Sequence, residues 1–229
     1  MNRVTTNLRP DESGYYEPST RSIGLLRTGA RGMYAYREMT PEERRAVVAE
    51  RRARGFPLPK PPHLQSGQGW YFVSAATYEH QHRFTGRAEL TALERRLLEA
   101  CRTSPIRCAG WVVMPNHYHL LVEVDDLPML GRALGSVHGR SARYANRRDG
   151  IVGRPVWYKY SDRKVRSERH FWTCLHYIVG NPVKHGFSSD PRDWPWSCIH
   201  ELIAERGQAW VDDLRRDYPL RDFGRGWDD

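Results

Sequence analysis

Two histidines, His117 and His119, lie two residues apart in the apolar run from Met114 to Val124. The run is typical of a β-strand, in which residues at i and i+2 point to the same face of a sheet. Two imidazoles on one face can bind one divalent metal ion. Taken alone, however, the pair fits hydrogen-bonded structural histidines better than a metal site. The metal hypothesis therefore needs a third ligand.

A predicted helix that starts near Ser167 offers this ligand. It places Tyr177 and Asn181 four residues apart, and therefore on one helix face. Pro182 disfavours helical backbone at the preceding residue, so we expect the helix to end near Asn181. Two imidazoles and one amide oxygen, with open positions for water and phosphate oxygens, suit Mg²⁺ or Mn²⁺. Three apolar residues should bury the other face of the helix against a sheet. They are Phe171, Leu175 and Ile178.

The elements around these residues predict an α+β fold. Strands are expected at 70–77, 108–114 and 117–124, with a further short strand at 157–160. Helices are expected at 87–102, 129–148 and 167–180. The resulting βαββαβ order is that of a ferredoxin-like sandwich, with a central antiparallel sheet and helices on one face.

The chain is predicted to have three parts. Residues 1–64 form a basic, Pro- and Gly-rich N-terminal extension. Its one strong local signal is a capping box from Thr40 to Glu43, which predicts a short helix to about Arg54. Residues 65–200 form the main domain, and residues 201–229 form a C-terminal tail.

Composition favours an anionic partner. The 229 residues include 36 Lys and Arg against 27 Asp and Glu, which gives a net charge of +9. A chain this basic favours nucleic acid, although a basic solvated surface is the simpler alternative. The four cysteines form no C-x-x-C pair, which is typical of reduced thiols. No apolar stretch predicts a secretory signal or a membrane span, so we expect a cytoplasmic, nucleoid-associated protein with no membrane partner.

Three sequence motifs follow one another along the chain. They are Met114-Pro-Asn-His-Tyr-His119, Tyr177-Ile-Val-Gly-Asn-Pro-Val-Lys-His-Gly186 and Asp193-Trp-Pro-Trp-Ser197. Together they resemble the single-tyrosine transposases of the HUH type, and among these the REP-associated tyrosine transposases. The resemblance covers roughly residues 66–200. Tyr118 stands where the family name implies a hydrophobic residue, which should be tolerated because its side chain points to the other sheet face.

The resemblance implies specific roles for four residues. His117 and His119 match the family's metal ligands, Asn181 matches its polar third ligand and Tyr177 matches its nucleophile. It also implies an Mg²⁺- or Mn²⁺-dependent transposase and endonuclease that nicks and transfers single-stranded DNA at hairpin-forming repeats. The intermediate would be a 5′-phosphotyrosine. Relatives act as monomers or as dimers, so both oligomeric states stay open.

Basic residues predict where DNA would lie. Phosphate contacts position a nucleic acid and make its affinity depend on salt. The candidates are Arg140, Arg143, Arg147, Arg148, Lys159, Arg163, Lys164, Arg166 and Lys184. Aromatic residues interleave with them, as stacking on unpaired bases requires, although Trp157 fits a core position better.

Two other functions are compatible with parts of this pattern. One is a DNA-binding protein that keeps the fold but has lost strand transfer; the intact set of four residues argues against it. The other is a metal-dependent hydrolase that activates water. That function leaves Tyr177 without a role, and no carboxylate base lies beside the histidine motif.

Overall fold

The computed structural model describes residues 67–224 and, upstream of them, residues 40, 42, 43, 45, 46 and 49. The chain divides into two compact units, residues 56–228 and residues 1–55 with residue 229. In the smaller unit the capping box is confirmed: the Glu43 amide donates to Thr40 Oγ1 (3.2 Å), and the Thr40 amide donates to Glu43 Oε2 (2.7 Å). Its described residues from 42 to 49 are helical, and the predicted end of this helix lies outside the described residues.

One antiparallel sheet forms the centre of the larger unit. Its strands are β1 (Gly69–Ala76), β2 (Ile106–Val113), β3 (His117–Val124) and β4 (Ser161–Lys164). Their spatial order is β2-β3-β1-β4, and every neighbouring pair is antiparallel. Residues 114–116 connect β2 and β3 as a tight hairpin. This order is that of the ferredoxin-like fold, so the predicted fold class is confirmed.

The fourth strand lies four residues further along the chain than predicted. Trp157 forms only an isolated bridge with Thr77, and the strand itself begins at Ser161. The Trp157 ring instead packs between Phe84 and His138, with ring centroids at 5.4 and 4.7 Å. The aromatic run was predicted as a strand because of its composition, but burial of its largest ring against a helix takes precedence over pairing.

The two helices of the βαββαβ unit pack on the same face of the sheet. They are α1 (Arg87–Arg102) and α2 (Leu127–Arg148). Glu94 of α1 accepts a hydrogen bond from the Trp111 indole on β2 (3.0 Å). The Tyr118 hydroxyl on β3 bonds His138 of α2 (2.8 Å). Tyr118 therefore points away from the two histidines beside it, as the strand alternation predicted.

A third helix, α3 (Glu168–Lys184), covers the opposite face. Ser167 caps it, since Ser167 Oγ accepts from the His170 amide (3.1 Å). Leu175 and Ile178 lie over Gly110 of β2, where a Cβ would come within 2.6 Å of Leu175 Cδ1. The missing side chain at Gly110 thus allows the helix to approach the sheet closely.

Helix α3 does not end at Asn181 as predicted, because Pro182 is accommodated inside its last turn. A proline there removes one backbone donor. The ring of Pro182 is buried, and the His185 amide still donates to the Asn181 carbonyl (3.1 Å). Burial and this bond offset the lost donor, so the helix extends to Lys184.

The remaining chain packs around α3 and β2. Residues 196–198 pair with the outer edge of β2: the Val113 amide donates to the Trp196 carbonyl (2.9 Å), and the Cys198 amide donates to the Trp111 carbonyl (3.0 Å). Two short helices follow, α4 (Ile199–Arg206) and α5 (Gln208–Asp217). We call the next segment, residues 218–224, the C-terminal strap. Among the described residues, no helix has the length and apolar character needed to cross a membrane.

Candidate active site

The two histidines of β3 lie side by side beneath α3. His117 is 3% exposed and His119 is 0% exposed, and their ring centroids are 5.1 Å apart. Phe72 of the neighbouring strand β1 stacks on His119 with centroids 5.2 Å apart. The strand register that predicted a shared face for the imidazoles is therefore correct.

Neighbouring polar side chains orient both imidazoles. His117 Nδ1 lies 2.8 Å from Asn116 Oδ1, which can only accept, so this nitrogen carries the proton that it donates. His119 Nδ1 is joined to Ser74 Oγ by a 2.7 Å hydrogen bond. Such bonds to the second ring nitrogen are typical of metal-binding histidines, because they fix the ring and its tautomer. In both rings Nε2 is then the nitrogen that would ligate a metal.

The strand and the helix meet at Asn181. Its Oδ1 lies 2.8 Å from His117 Nε2, and the side chain is fully buried. Its Nδ2 has no hydrogen-bond partner among the described residues. Because His117 Nδ1 carries the proton, Nε2 presents a lone pair to Oδ1. Two acceptor atoms at this distance repel each other unless a cation or a proton lies between them. The alternative is that the Asn181 amide is rotated, so that its Nδ2 donates to His117 Nε2.

The donor set at this meeting point fits a small octahedral ion. Neighbouring ligands of Mg²⁺, at about 2.0–2.1 Å from the metal, lie about 3 Å from each other. The 2.8 Å separation of His117 Nε2 and Asn181 Oδ1 is close to that distance. Among the described residues, no three His, Cys, Asp or Glu side chains form a cluster that could hold a metal. Any ion here would therefore depend on the Asn181 amide.

Tyr177 lies one helical turn before Asn181 on α3 and is 1% exposed. Its ring packs edge-on against His119, with centroids 5.3 Å apart. Its hydroxyl accepts a 2.9 Å hydrogen bond from Lys184 Nζ. The amide, the two imidazoles and the phenol predicted from the motifs are therefore gathered at one place.

The C-terminal strap covers this tyrosine. Phe223 packs against the Tyr177 and Phe72 rings, with centroids 5.6 and 6.1 Å away. Gly224 lies against the phenol ring so closely that a Cβ would be 2.0 Å from Tyr177 Cε2. The Gly224 carbonyl also accepts a 3.3 Å hydrogen bond from Lys184 Nζ. At the start of the strap, the Tyr218 carbonyl bonds His176 Nδ1 (2.8 Å).

Sequence reasoning missed several residues of this site. His185 lies with its ring centroid 4.8 Å from that of His117. Burial, and next the proximity of His117, lower the pKa of His185 to about 2. Ser74 had a usable signal, because it is a polar residue in an apolar strand and is paired in register with His119. Phe223 had none, because only the three-dimensional path of the strap brings it to Tyr177.

The candidate DNA-contacting residues lie on separate elements. Arg140, Arg143 and Arg147 are exposed on α2, beside Tyr144, which is 46% exposed. Arg148 lies at the end of α2 and Lys184 at the end of α3. The other candidates lie around β4. Before β4 lies Lys159, on it are Arg163 and Lys164, and after it lies Arg166.

Arg148 and Lys184 contact other residues of the protein. Arg148 forms ion pairs with Glu89 of α1 and with Asp149. Hydrogen bonds from Arg148 and Arg154 lower the pKa of Asp149 to about 2. Lys184 contacts the nucleophile candidate, as described above. Both therefore take part in the protein's own structure.

The chain resembles known transposases in sequence. No protein-family model matches the chain. A REP-associated tyrosine transposase of Escherichia coli (strain K12) is 25% identical over 142 residues, which cover 60% of this chain and 80% of that protein. A putative REP-associated tyrosine transposase of Haemophilus influenzae is 28% identical over 119 residues, 46% of this chain and 65% of that protein.

Solved structures include a REP-associated tyrosine transposase bound to a REP hairpin, with a TM-score of 0.49 and 23% identity over 65% of this chain and 86% of that chain. A putative transposase from Deinococcus radiodurans R1 has a TM-score of 0.35 and 20% identity over 52% of this chain and 95% of that chain.

In this chain a ferredoxin-like sheet carries the histidine pair beneath the tyrosine-bearing helix, and the relatives that match its sequence are named transposases. The chain is a relative of the REP-associated tyrosine transposases, and the resemblance predicted from its three motifs is confirmed.

Proposed function

We propose that this protein is an HUH-type single-tyrosine transposase that nicks and rejoins single-stranded DNA at hairpin-bearing repeats. One observation carries the proposal: α3 meets β3 so that Asn181 Oδ1 lies 2.8 Å from His117 Nε2 and Tyr177 packs on His119. Neither β3 nor α3 alone carries both a nucleophile and a full set of metal ligands. Together they provide a nucleophile beside a set of polar ligands.

Tyr177 supplies the nucleophile. A phenol has a reference pKa near 10, so it attacks a phosphodiester only when the phosphate is held and its charge is stabilised. Attack by Tyr177 Oη would release a 3′-hydroxyl and join the protein to the 5′-phosphate. The new phosphotyrosine bond keeps the energy of the phosphodiester, so a second 3′-hydroxyl can attack it later. Cutting and rejoining would then need no nucleotide cofactor.

His117, His119 and Asn181 would hold an Mg²⁺ or Mn²⁺ ion. When bound, such an ion supplies a Lewis acid that polarises the scissile phosphate and neutralises developing charge. The protein's contribution is to fix the ligands: Asn116 orients His117, and Ser74 orients His119. All three ligands are buried, so charges at this point are screened less by solvent than on the surface.

DNA is the proposed partner. One similar protein, a REP-associated tyrosine transposase, was solved bound to a REP hairpin. In this chain the exposed Arg140, Arg143 and Arg147 on α2 could contact phosphates, and Tyr144 beside them could stack on an unpaired base. The net charge of +9 favours such a partner.

A DNA-binding protein without strand transfer is the second candidate. The observation that favours it is the burial of Tyr177 beneath Phe223 and Gly224 of the strap. In that case the protein would bind the hairpin, and the phenol would serve only to pack the strap.

One experiment separates these functions. The full chain is incubated with Mg²⁺ or Mn²⁺ and a REP hairpin that carries a single-stranded flank, labelled at either its 3′ or its 5′ end. A 5′-phosphotyrosine intermediate requires that the 3′ label becomes attached to protein and that the 5′ label appears on a shortened strand. Tyr177→Phe removes only the hydroxyl, so it should abolish both products and keep the fold.

Each alternative gives a different result. Shortened strands that persist in Tyr177→Phe would refute the tyrosine as nucleophile and favour a hydrolase. Hairpin binding without cleavage by the parent protein would favour the second candidate. Cleavage that persists after exhaustive chelation would contradict the metal assignment.

A further inference from the structure

We propose that Lys184 is a positioning residue for Tyr177: it holds the phenol oxygen and stabilises the phenolate each time that oxygen becomes charged. This inference rests on the proposed function and deepens it. The sequence had suggested a DNA-phosphate contact for Lys184. In the structure its ammonium group donates a hydrogen bond to the Tyr177 hydroxyl.

The geometry depends on the continuation of α3 past Pro182. Residues seven apart in a helix differ by only about 20° in direction, so they lie on the same face two turns apart. Lys184 follows Tyr177 by seven residues, and it shares this face only because the helix extends to Lys184. Its Nζ lies 2.9 Å from Tyr177 Oη and 4.9 Å from the ring centroid. The long side chain thus reaches back along the ring to the hydroxyl.

The chemistry of both transfer steps favours a cation at this point. In cleavage, the bond from Tyr177 Oη to phosphorus forms and the bond from phosphorus to O3′ breaks; the phenol proton passes to solvent, and O3′ takes up a proton. In rejoining, an incoming 3′-hydroxyl loses its proton to solvent and bonds to phosphorus, and Oη departs as phenolate before it is reprotonated. The Lys184 ammonium donates a hydrogen bond to Oη throughout, and hydrogen bonds to charged oxygens are the stronger ones.

Two other roles for Lys184 predict different results. A contact to DNA phosphate would mainly support affinity for the hairpin. If Lys184 only held the strap closed, through its 3.3 Å hydrogen bond to the Gly224 carbonyl, it would slow the enzyme. Removing the Lys184 ammonium would then make adduct formation faster. A residue that positions and stabilises the phenol supports the rate of both chemical steps with little effect on affinity.

The test uses Lys184→Met, which keeps the length of the side chain but removes its charge, and Lys184→Arg, which keeps a donor. Arg95→Met is the control for the loss of one positive charge, because Arg95 is exposed on α1, across the sheet from Tyr177. Three quantities are measured with the labelled hairpin: affinity, the single-turnover rate of adduct formation, and the rate at which a supplied 3′-hydroxyl strand releases the purified adduct. Thermal unfolding checks the fold of each variant.

Lys184→Met should slow both adduct formation and adduct release by roughly tenfold to a hundredfold, which is the value of a hydrogen bond to a charged group. Its hairpin affinity should match that of Arg95→Met. Lys184→Arg should recover most of both rates. Faster adduct formation, unchanged rates or a loss confined to affinity would each refute the inference. A parent protein that forms no adduct would refute the proposed function itself, and the inference with it.

Discussion

Gly224 of the C-terminal strap offers a direct test of whether the strap restricts Tyr177. Its φ of +79° lies in the left-handed region, and an added Cβ would be 2.0 Å from Tyr177 Cε2 and 2.7 Å from both Cδ2 and Cζ. The phenol ring is itself buried between the strap, His119 and Phe72, so it cannot move aside. Gly224→Ala should therefore displace the strap rather than the tyrosine.

The size of the effect follows from these two terms. Left-handed backbone costs a residue with a Cβ about 1–2 kcal/mol relative to glycine. The overlap adds to this, because it is far shorter than ordinary contact. A shift of 1–2 kcal/mol changes the ratio of open to closed strap by roughly 5–30-fold. If DNA reaches Tyr177 only when the strap is open, the rate of adduct formation should rise by at least this factor until the open form predominates.

The assay is single-turnover adduct formation with a 3′-labelled hairpin, together with hydrogen exchange of the peptide that contains residues 218–224. Gly207→Ala is the matched control, since Gly207 has a φ of +87° but a Cβ there would meet nothing within 4 Å. It lies at the junction of α4 and α5, so it should lower stability and leave adduct formation unchanged.

The reasoning would be refuted if Gly224→Ala exchanged faster in the strap and yet formed the adduct no faster than the parent protein. The strap would then be a passive cover that does not limit the access of DNA to Tyr177. A slower reaction would instead show that the strap supports the active arrangement of Tyr177.

Three further predictions concern the rest of the site and its scaffold. Ser74→Ala removes the bond that orients His119, so the Mn²⁺ concentration for half-maximal adduct formation should rise roughly 10–100-fold; no change would contradict the orienting role. Gly110→Ala forces a Cβ to within 2.6 Å of Leu175 Cδ1, so denaturant unfolding should show a loss of about 1–3 kcal/mol; an unaltered midpoint would mean that α3 shifts freely. Burial lowers the pKa of His138 to about 4 from 6.5, so the unfolded chain binds more protons between these values and stability falls as pH decreases through them. His138→Gln should reduce the loss of unfolding free energy between pH 7 and pH 4, by at most about 3 kcal/mol. Unfolding curves measured across this pH range would show the difference.

The parts of the site that could be predicted from sequence are those set by local geometry. Strand alternation placed His117 and His119 on one face, and helical spacing placed Tyr177 and Asn181 on another. Their meeting could be inferred only from the family resemblance, because the contact joins residues 64 apart in the chain.

The errors arose where tertiary packing outweighs a local rule. Pro182 was expected to end α3, but burial of its ring and the bond from His185 to the Asn181 carbonyl keep the last turn intact. Strand β4 has the sequence Ser-Asp-Arg-Lys, which carries no apolar alternation to reveal it. The contact of Phe223 with Tyr177 depends on how the chain returns after α5, and no pattern within the strap specifies that path.

The pairing of residues 196–198 with β2 has a consequence for self-association. An exposed strand edge is a template on which other chains can add, and it is a common starting point for aggregation. The Trp196 carbonyl and the Cys198 amide already satisfy the outward-facing groups of Val113 and Trp111. A second copy therefore could not pair with β2 at these residues. The Trp-Pro-Trp-Ser sequence thus protects this end of β2 against edge-to-edge pairing while its indoles pack into the core.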